Sequence, residues 1–475
     1  MIESSVYPAM AVREVRMETP KTSLGVVVGL TVMAILALWV ASAGQLLRLA
    51  IPAMATFLGL VLYLRYPILY VQYSLWVWFL APLVRRIVDF RFGWTDPNFI
   101  LLSPLLVSGI AVLAFFRKDG KAWRDVPVGF VLCAAAIFYG FAVGMILQPS
   151  AETAYGLLNW LCPLLFGLHL YQNWPQYEAY RSAIGKSFLW AALVLGLYGI
   201  GQFLFPPAWD RMWLESVQAN MTGTSFGQPE PSMVRVWSTM NAPGPFANTM
   251  MVALLFLFSV RSPLKLPAAL AGYTSFLLSI VRTAWLSWVV GLVWILKSSR
   301  PRVMVRVVLS MMLLVACLLP LLSEPRLANV IGDRVKTFTD LQHDDSFAER
   351  VDMYRVLTND ALENPFGHGL KNLENSRGMA VDSGILTVIF SLGWMGCLLL
   401  AAGVFSLFFT KKPATPSGDE FLAVAKAIMI AILVQVVGGN IFVSVSGGMF
   451  WMLAGMYLAA GKYHIEKARD RSNAA

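Results

Sequence analysis

"SFLLSIVRTAWLSWVVGL", residues 275–292, places one arginine, Arg282, inside a stretch otherwise fit for a membrane interior. A charge at the centre of a bilayer costs at least about 2.5 kcal/mol and is generally retained for function, so the chain must bend or face protein there. Residues 266–296 form one long apolar run around it, roughly 46 Å as a single helix against a hydrocarbon core of roughly 30 Å. Both flanks are basic, with Arg261 and Lys265 before and Lys297, Arg300 and Arg302 after. That is the pattern of a segment whose two ends return to the same side. The spacing predicts a hairpin with its tip at Arg282. Arms of roughly 22 Å are shorter than the membrane is thick, so the tip lies below the outer surface, among other helices.

The rest of the chain has the same character. Of 475 residues, 57% are hydrophobic and only 13% charged, the composition of a polytopic membrane protein. The net charge of +10 sits mainly in short links between apolar runs, where it is a topology signal and not a nucleic-acid surface. Cys133, Cys162, Cys317 and Cys397 all fall in apolar runs without a CxxC pair, which supports neither a disulfide framework nor a zinc site.

Windows of about 20 residues predict an all-α protein with about fourteen transmembrane helices. They fall at 24–43, 47–64, 67–84, 98–116, 126–147, 154–171, 187–205, 242–260, 266–281, 283–297, 303–322, 381–409, 421–438 and 441–460. The expected organisation is a cytoplasmic segment 1–23, a single transmembrane domain 24–460 and a basic cytoplasmic tail 461–475. Alternate links hold most of the Lys and Arg, which puts both termini in the cytoplasm. The cluster Arg85, Arg86 and Arg91 runs against that pattern by falling outside.

Two outer segments are long, 206–241 and 323–380. The first, rich in Pro, Gly, Ser and aromatics, reads as a non-helical loop holding short structured pieces. The second is the most polar part of the protein. Within it "SFAERVDMYRVLTNDALENP", residues 346–365, pairs Ser346 with Glu349 as a capping box and repeats Phe347, Val351, Tyr354, Leu357 and Ala361 at helical spacing. An amphipathic helix over the outer mouth is expected.

"MVRVWSTMNAPGPFANTMM", "SIVRTAWLSWVVGL", "ERVDMYRVLTNDALENPFGHGL", "DSGILTVIFSLGWMG" and "GGMFWMLAGMYLA" follow one another between about residues 225 and 460. Together they resemble successive signature regions of the O-antigen ligase and polysaccharide polymerase superfamily. The resemblance implies a glycosyltransferase C-like fold and a metal-independent, cofactor-free membrane glycosyltransferase. Its donor would be a glycan on a polyprenyl diphosphate such as undecaprenyl diphosphate, and its acceptor a sugar outside the cytoplasmic (inner) membrane. Membrane lipids, and a flippase and chain-length regulator of the same pathway, are the further partners implied, with no nucleic acid. By the same resemblance Arg235, Arg282 and Arg350 match diphosphate-binding arginines. Ligases of the family carry a histidine where this chain reads "DSGIL", with Asp382. The departure points to a polymerase of O-antigen or exopolysaccharide. An O-antigen ligase or protein O-oligosaccharide ligase is the alternative, and a lipid-linked glycan transporter a third reading.

The residue types suit that chemistry. Departure of a polyprenyl diphosphate concentrates negative charge, which fixed guanidinium forks stabilise in a dry site. The acceptor hydroxyl needs a base, for which Asp382, His368 and Glu349 are the candidates. Each residue also has a plainer reading. Asp382 could cap the apolar helix that follows, and His368 could belong to a turn between Gly367 and Gly369. Arg282 could bond helix-end carbonyls or lipid phosphates, and Arg235 could stack on Trp237. Arg350 could pair with Glu349 on an exposed face. The acids of "HDDS", 343–346, read as a solvated turn or a metal pair. A transporter would spread charges along several helices, whereas these cluster at the outer face.

Overall fold

The computed structural model describes residues 43–116, 125–220, 226–298, 363–371, 383–409 and 419–474, with residues 33, 39, 305, 308–313, 315–316 and 359 in short pieces. Eight of the described helices are long and apolar enough to cross a membrane. They are α1 (Gly44–Arg65), α2 (Pro67–Phe92), α3 (Phe99–Phe116, part 3-10), α4 (Val128–Leu147), α5 (Ala151–Gln172), α6 (Tyr177–Leu204), and, after four further helices given below, α11 (Gly384–Phe409) and α12 (Glu420–Val437, its last turn 3-10). The protein is an all-α, multi-pass membrane protein, but the expectation of about fourteen spanning helices is corrected: among the described residues there are eight.

The difference has a physical origin. Hydropathy windows register apolar residues and not the places where the backbone leaves the helix. Beyond α7 (Ala208–Asn220), the helices α8 (Pro243–Phe256), α9 (Lys265–Leu278) and α10 (Arg282–Ser298) have 14, 14 and 17 residues. Each falls short of the ~20 that a span requires. The last helix, α13 (Ser444–Ala474), has 31 residues but turns basic and polar in its second half. The windows at 24–43 and 303–322 fall mostly outside the described residues.

Helix pairs α5–α13, α4–α11, α6–α9 and α10–α12 make the main contacts of the bundle. Lipid supplies no hydrophobic drive between helices, so close approach over small residues does the holding. At the α5–α13 crossing Gly167 and Gly455 each face the other helix's backbone, where a Cβ would overlap it. Phe188 stacks on Phe256 with ring centres 4.7 Å apart, fastening α6 to α8. Apolar side chains such as Phe57, Leu64, Ile146, Leu197 and Leu398 point outward from the spans, as lipid-facing positions require.

Charges gather at the two ends of the bundle. At one end Asp419, just before α12, accepts from the Tyr177 hydroxyl at 2.7 Å and meets Arg181 at 3.2 Å and His464 at 3.1 Å, joining α6, α12 and α13. At the other end Asp89 sits between Arg48 and Arg85, each at 3.2 Å, and Arg86 meets Asp210 at 2.9 Å. This accounts for Arg85 and Arg86 in the basic cluster that ran against the charge pattern, while Arg91 is exposed. Arg48, Arg85 and Arg86 are buried against carboxylates, so they do not act as the uncompensated link charges that orient a span.

The segment 206–241 holds more helix than expected. In α7 the residues Asp210, Trp213, Leu214 and Val217 recur at i, i+3, i+4 and i+7 and are all buried. Trp213 stacks on Phe226 and tilts against Trp237, giving the segment a small aromatic core of its own.

Candidate functional site

The expected hairpin is present. α9 ends at Leu278, α10 begins at Arg282, and the turn between them puts Ile280 at φ 53°, a left-handed conformation that a β-branched residue rarely adopts. Locally, Ser279 helps end α9 by turning its hydroxyl back to the Phe276 carbonyl at 2.6 Å. The carbonyls beyond it have no next helical turn to bond. Arg235 supplies the donors: its Nε reaches the Ser279 carbonyl at 3.3 Å and its Nη2 the Ile280 carbonyl at 3.0 Å. The backbone joins in, with Val236 N–H donating to the Leu278 carbonyl at 3.1 Å. Arg235 and Arg282 are thereby brought to one turn, both half-buried. A guanidinium at the end of α9 suits the negative end of its dipole, while the first N–H groups of α10 face the same turn.

The start of α11 closes on this turn through the link between α12 and α13. Thr283 packs against Gly438, and the Gly439 carbonyl lies against Gly384 so closely that a Cβ there would overlap it. Ser383 is buried, and its hydroxyl accepts from the Leu386 N–H at 3.4 Å, so this serine fills the N-cap position that was the plainer reading of Asp382. Asp382 itself lies outside the described residues. So do Glu349, Arg350, the "HDDS" acids and the amphipathic helix expected over 346–365, except residues 359 and 363–365 of that stretch.

His368 is placed elsewhere along α11. Gly393 breaks that helix at φ 58° and ψ −173°, a conformation open essentially to glycine alone. The backbone of 365–369 lies in the break. His368 N–H donates to the Phe390 carbonyl at 2.8 Å, Gly369 N–H to the Ser391 carbonyl at 3.1 Å, and Trp394 N–H to the Pro365 carbonyl at 2.9 Å. Non-helical backbone at membrane depth persists only where protein satisfies it, as here. The His368 ring stacks on Phe390 with centres 4.3 Å apart. The turn reading thus accounts for its backbone, and the ring belongs to the helix break, not the hairpin tip.

The partners of several polar residues near the tip escaped the sequence reading. Arg86 and Asp210 form a fully buried ion pair, and its closest atoms, 2.9 Å apart, are not aligned as a hydrogen bond. Burial pushes the Asp210 carboxyl above the usual range, although the Arg86 charge and hydrogen bonds from Gln202 and Tyr198 pull it down. Gln202, near the C-terminal end of α6, is buried and bonds both Asp210 and the backbone of the segment that carries Arg235. The signal available was a polar residue in an apolar window, Arg86 just past 67–84 and Gln202 within 187–205. Among the described residues no cluster of three or more His, Cys, Asp or Glu could hold a metal ion.

Residues 266–401 match the family model described as O-antigen ligase. The match runs from α9 through the Arg282 turn to α11. No curated protein and no solved structure matches the chain.

Proposed function

We propose that this chain is a membrane glycosyltransferase of the ligase kind, moving a glycan from a polyprenyl diphosphate carrier to a different acceptor at the outer face of the inner membrane. The observation that carries this is the pairing of Arg235 with the Arg282 turn, inside and beside the stretch that matches the O-antigen ligase model. In the reaction an acceptor hydroxyl oxygen attacks the anomeric carbon and a glycosidic bond forms. The bond from that carbon to the carrier phosphate breaks, and the hydroxyl proton passes to a base. Arg235 and Arg282 stabilise the charge on the departing diphosphate, more strongly as it leaves than before. Asp382, next to the Ser383 cap of α11, is the favoured base, with His368 and Glu349 as the alternatives.

The sequence departure at Asp382 points towards a polymerase, but the family match favours the ligase. The product decides between them. The purified protein is given a carrier-linked oligosaccharide in vesicles together with a lipid-core acceptor. A glycan moved once to the acceptor supports the ligase, and a ladder of repeats on one carrier replaces it with the polymerase. Relocation with no new glycosidic bond removes both in favour of a transporter. Sidedness has its own test. A cysteine at Glu230, exposed at the Arg282 end, should be labelled from outside the cell, and one at Lys467, exposed at the other end, should not. The opposite labelling would put the turn on the cytoplasmic side and sink the mechanism.

A further inference from the structure

The chain just after Arg235 is held in a strained shape. Ser238 has φ 51°, left-handed for a residue with a side chain. One atom, Gln202 Oε1, accepts both the Trp237 N–H at 3.0 Å and the Ser238 N–H at 2.8 Å. The Ser238 carbonyl accepts from Arg86 at 2.6 Å, and its hydroxyl donates to the Leu195 carbonyl at 2.6 Å. The other half of the Gln202 amide is oriented by Asp210, to whose Oδ2 Nε2 donates at 2.7 Å. Tyr198, whose oxygen accepts from Trp209 Nε1 at 2.8 Å, donates to that same carboxylate oxygen at 3.0 Å. An amide is the one side chain that can accept from the strained turn with its oxygen and donate to a carboxylate with its nitrogen.

We propose that Gln202 is a positioning residue for Arg235: its amide, oriented by Asp210, holds the 237–238 turn in the shape that lays the Arg235 guanidinium on the hairpin tip. The assignment rests on the diphosphate-binding role given to Arg235 above. Gln202 touches neither Arg235 nor the tip in the hydrogen bonds that define this arrangement, and acts through the two peptide groups between them. Arg86 braces the same turn from α2 and is held by Asp210, so helices α2, α6 and α7 all converge on the placement of one side chain.

The test is a double-mutant cycle on the full chain in detergent, with farnesyl diphosphate as the probe of diphosphate binding. Gln202→Met keeps the length of the side chain and removes its hydrogen bonds. It should weaken binding by about tenfold, and Arg235→Ala by at least as much, whereas the double variant should bind no more weakly than Arg235→Ala alone. A residue that served stability only would leave binding by the folded protein unchanged, or would add its full loss on top of Arg235→Ala. Either result overturns the inference. If Arg235→Ala binds as tightly as the parent, the proposed function of that arginine fails first, and the cycle shows this without reference to Gln202. Should Gln202→Met not fold, Gln202→Asn retains the amide one methylene short. The same non-additivity is expected of it, and parental affinity overturns the assignment.

Discussion

The guanidinium of Arg235 donates to the carbonyl of Ile280 at 3.0 Å, two residues before Arg282. The Arg235 side chain is therefore held by the backbone that leads into Arg282. The C-terminal carbonyls of α9 favour a cation at this turn, and Arg235 bonds two of the carbonyls that follow the helix.

A lysine cannot reproduce this arrangement. Its single ammonium does not span the Ser279 and Ile280 carbonyls, and it lacks the fork that meets a diphosphate. Arg235→Lys and Arg282→Lys are each expected to lower glycan transfer by about 100-fold with near-normal yields of folded protein. Wild-type turnover in both would mean that neither guanidinium acts on the leaving group.

The buried pair Arg86–Asp210 should respond asymmetrically to substitution. Arg86→Met strands the Asp210 carboxylate in a buried site and should cost about 3–5 kcal/mol, read as a large drop in the thermal midpoint in detergent. The double variant Arg86→Met/Asp210→Leu removes both charges and should recover most of that loss. A double variant no more stable than Arg86→Met alone would mean that the stranded charge was not the cause.

Gly393→Ala is expected to destabilise the protein by about 1–3 kcal/mol from its backbone conformation alone. The added methyl would also overlap the Pro365 carbonyl and the Gly367 amide, driving the 365–369 segment out of the break in α11. Faster proteolysis within that segment, alongside the lower thermal midpoint, checks both parts. Unchanged protection would show that the break tolerates a side chain.

At the opposite end, Asp419 carries a pH dependence. Burial pushes its carboxyl up, but hydrogen bonds from Tyr177 and His464 and the charge of Arg181 outweigh burial and hold it below the usual carboxylate range. With a lower pKa folded than unfolded, it contributes stability fully above the ordinary carboxylate value of about 3.9 and loses it as the pH falls through the folded value. Asp419→Asn should therefore lower the thermal midpoint at pH 7, by an amount that shrinks as the pH is taken below the ordinary carboxylate value of about 3.9. A deficit that stays the same size on acidification would mean that packing, and not ionisation, accounts for the residue.

By itself the sequence determined the membrane class and the hairpin that turns at Arg282. These follow from local quantities: the length of an apolar run against the thickness of a bilayer, and the charges at its flanks. The tertiary structure alone decided how many runs are whole spans, because a run over 242–260 or 266–281 looks as apolar as a span while its helix stops at 14 residues. It alone decided that Ser383 caps α11 and that His368 belongs to the break at Gly393. It alone found Asp210 for Arg86 and the 237–238 turn for Gln202, since a buried ion pair or a bonded amide joins residues distant in the chain and leaves no periodic trace along it. Hydropathy is a sum over neighbours in sequence. A buried charge is tolerated according to its neighbours in space.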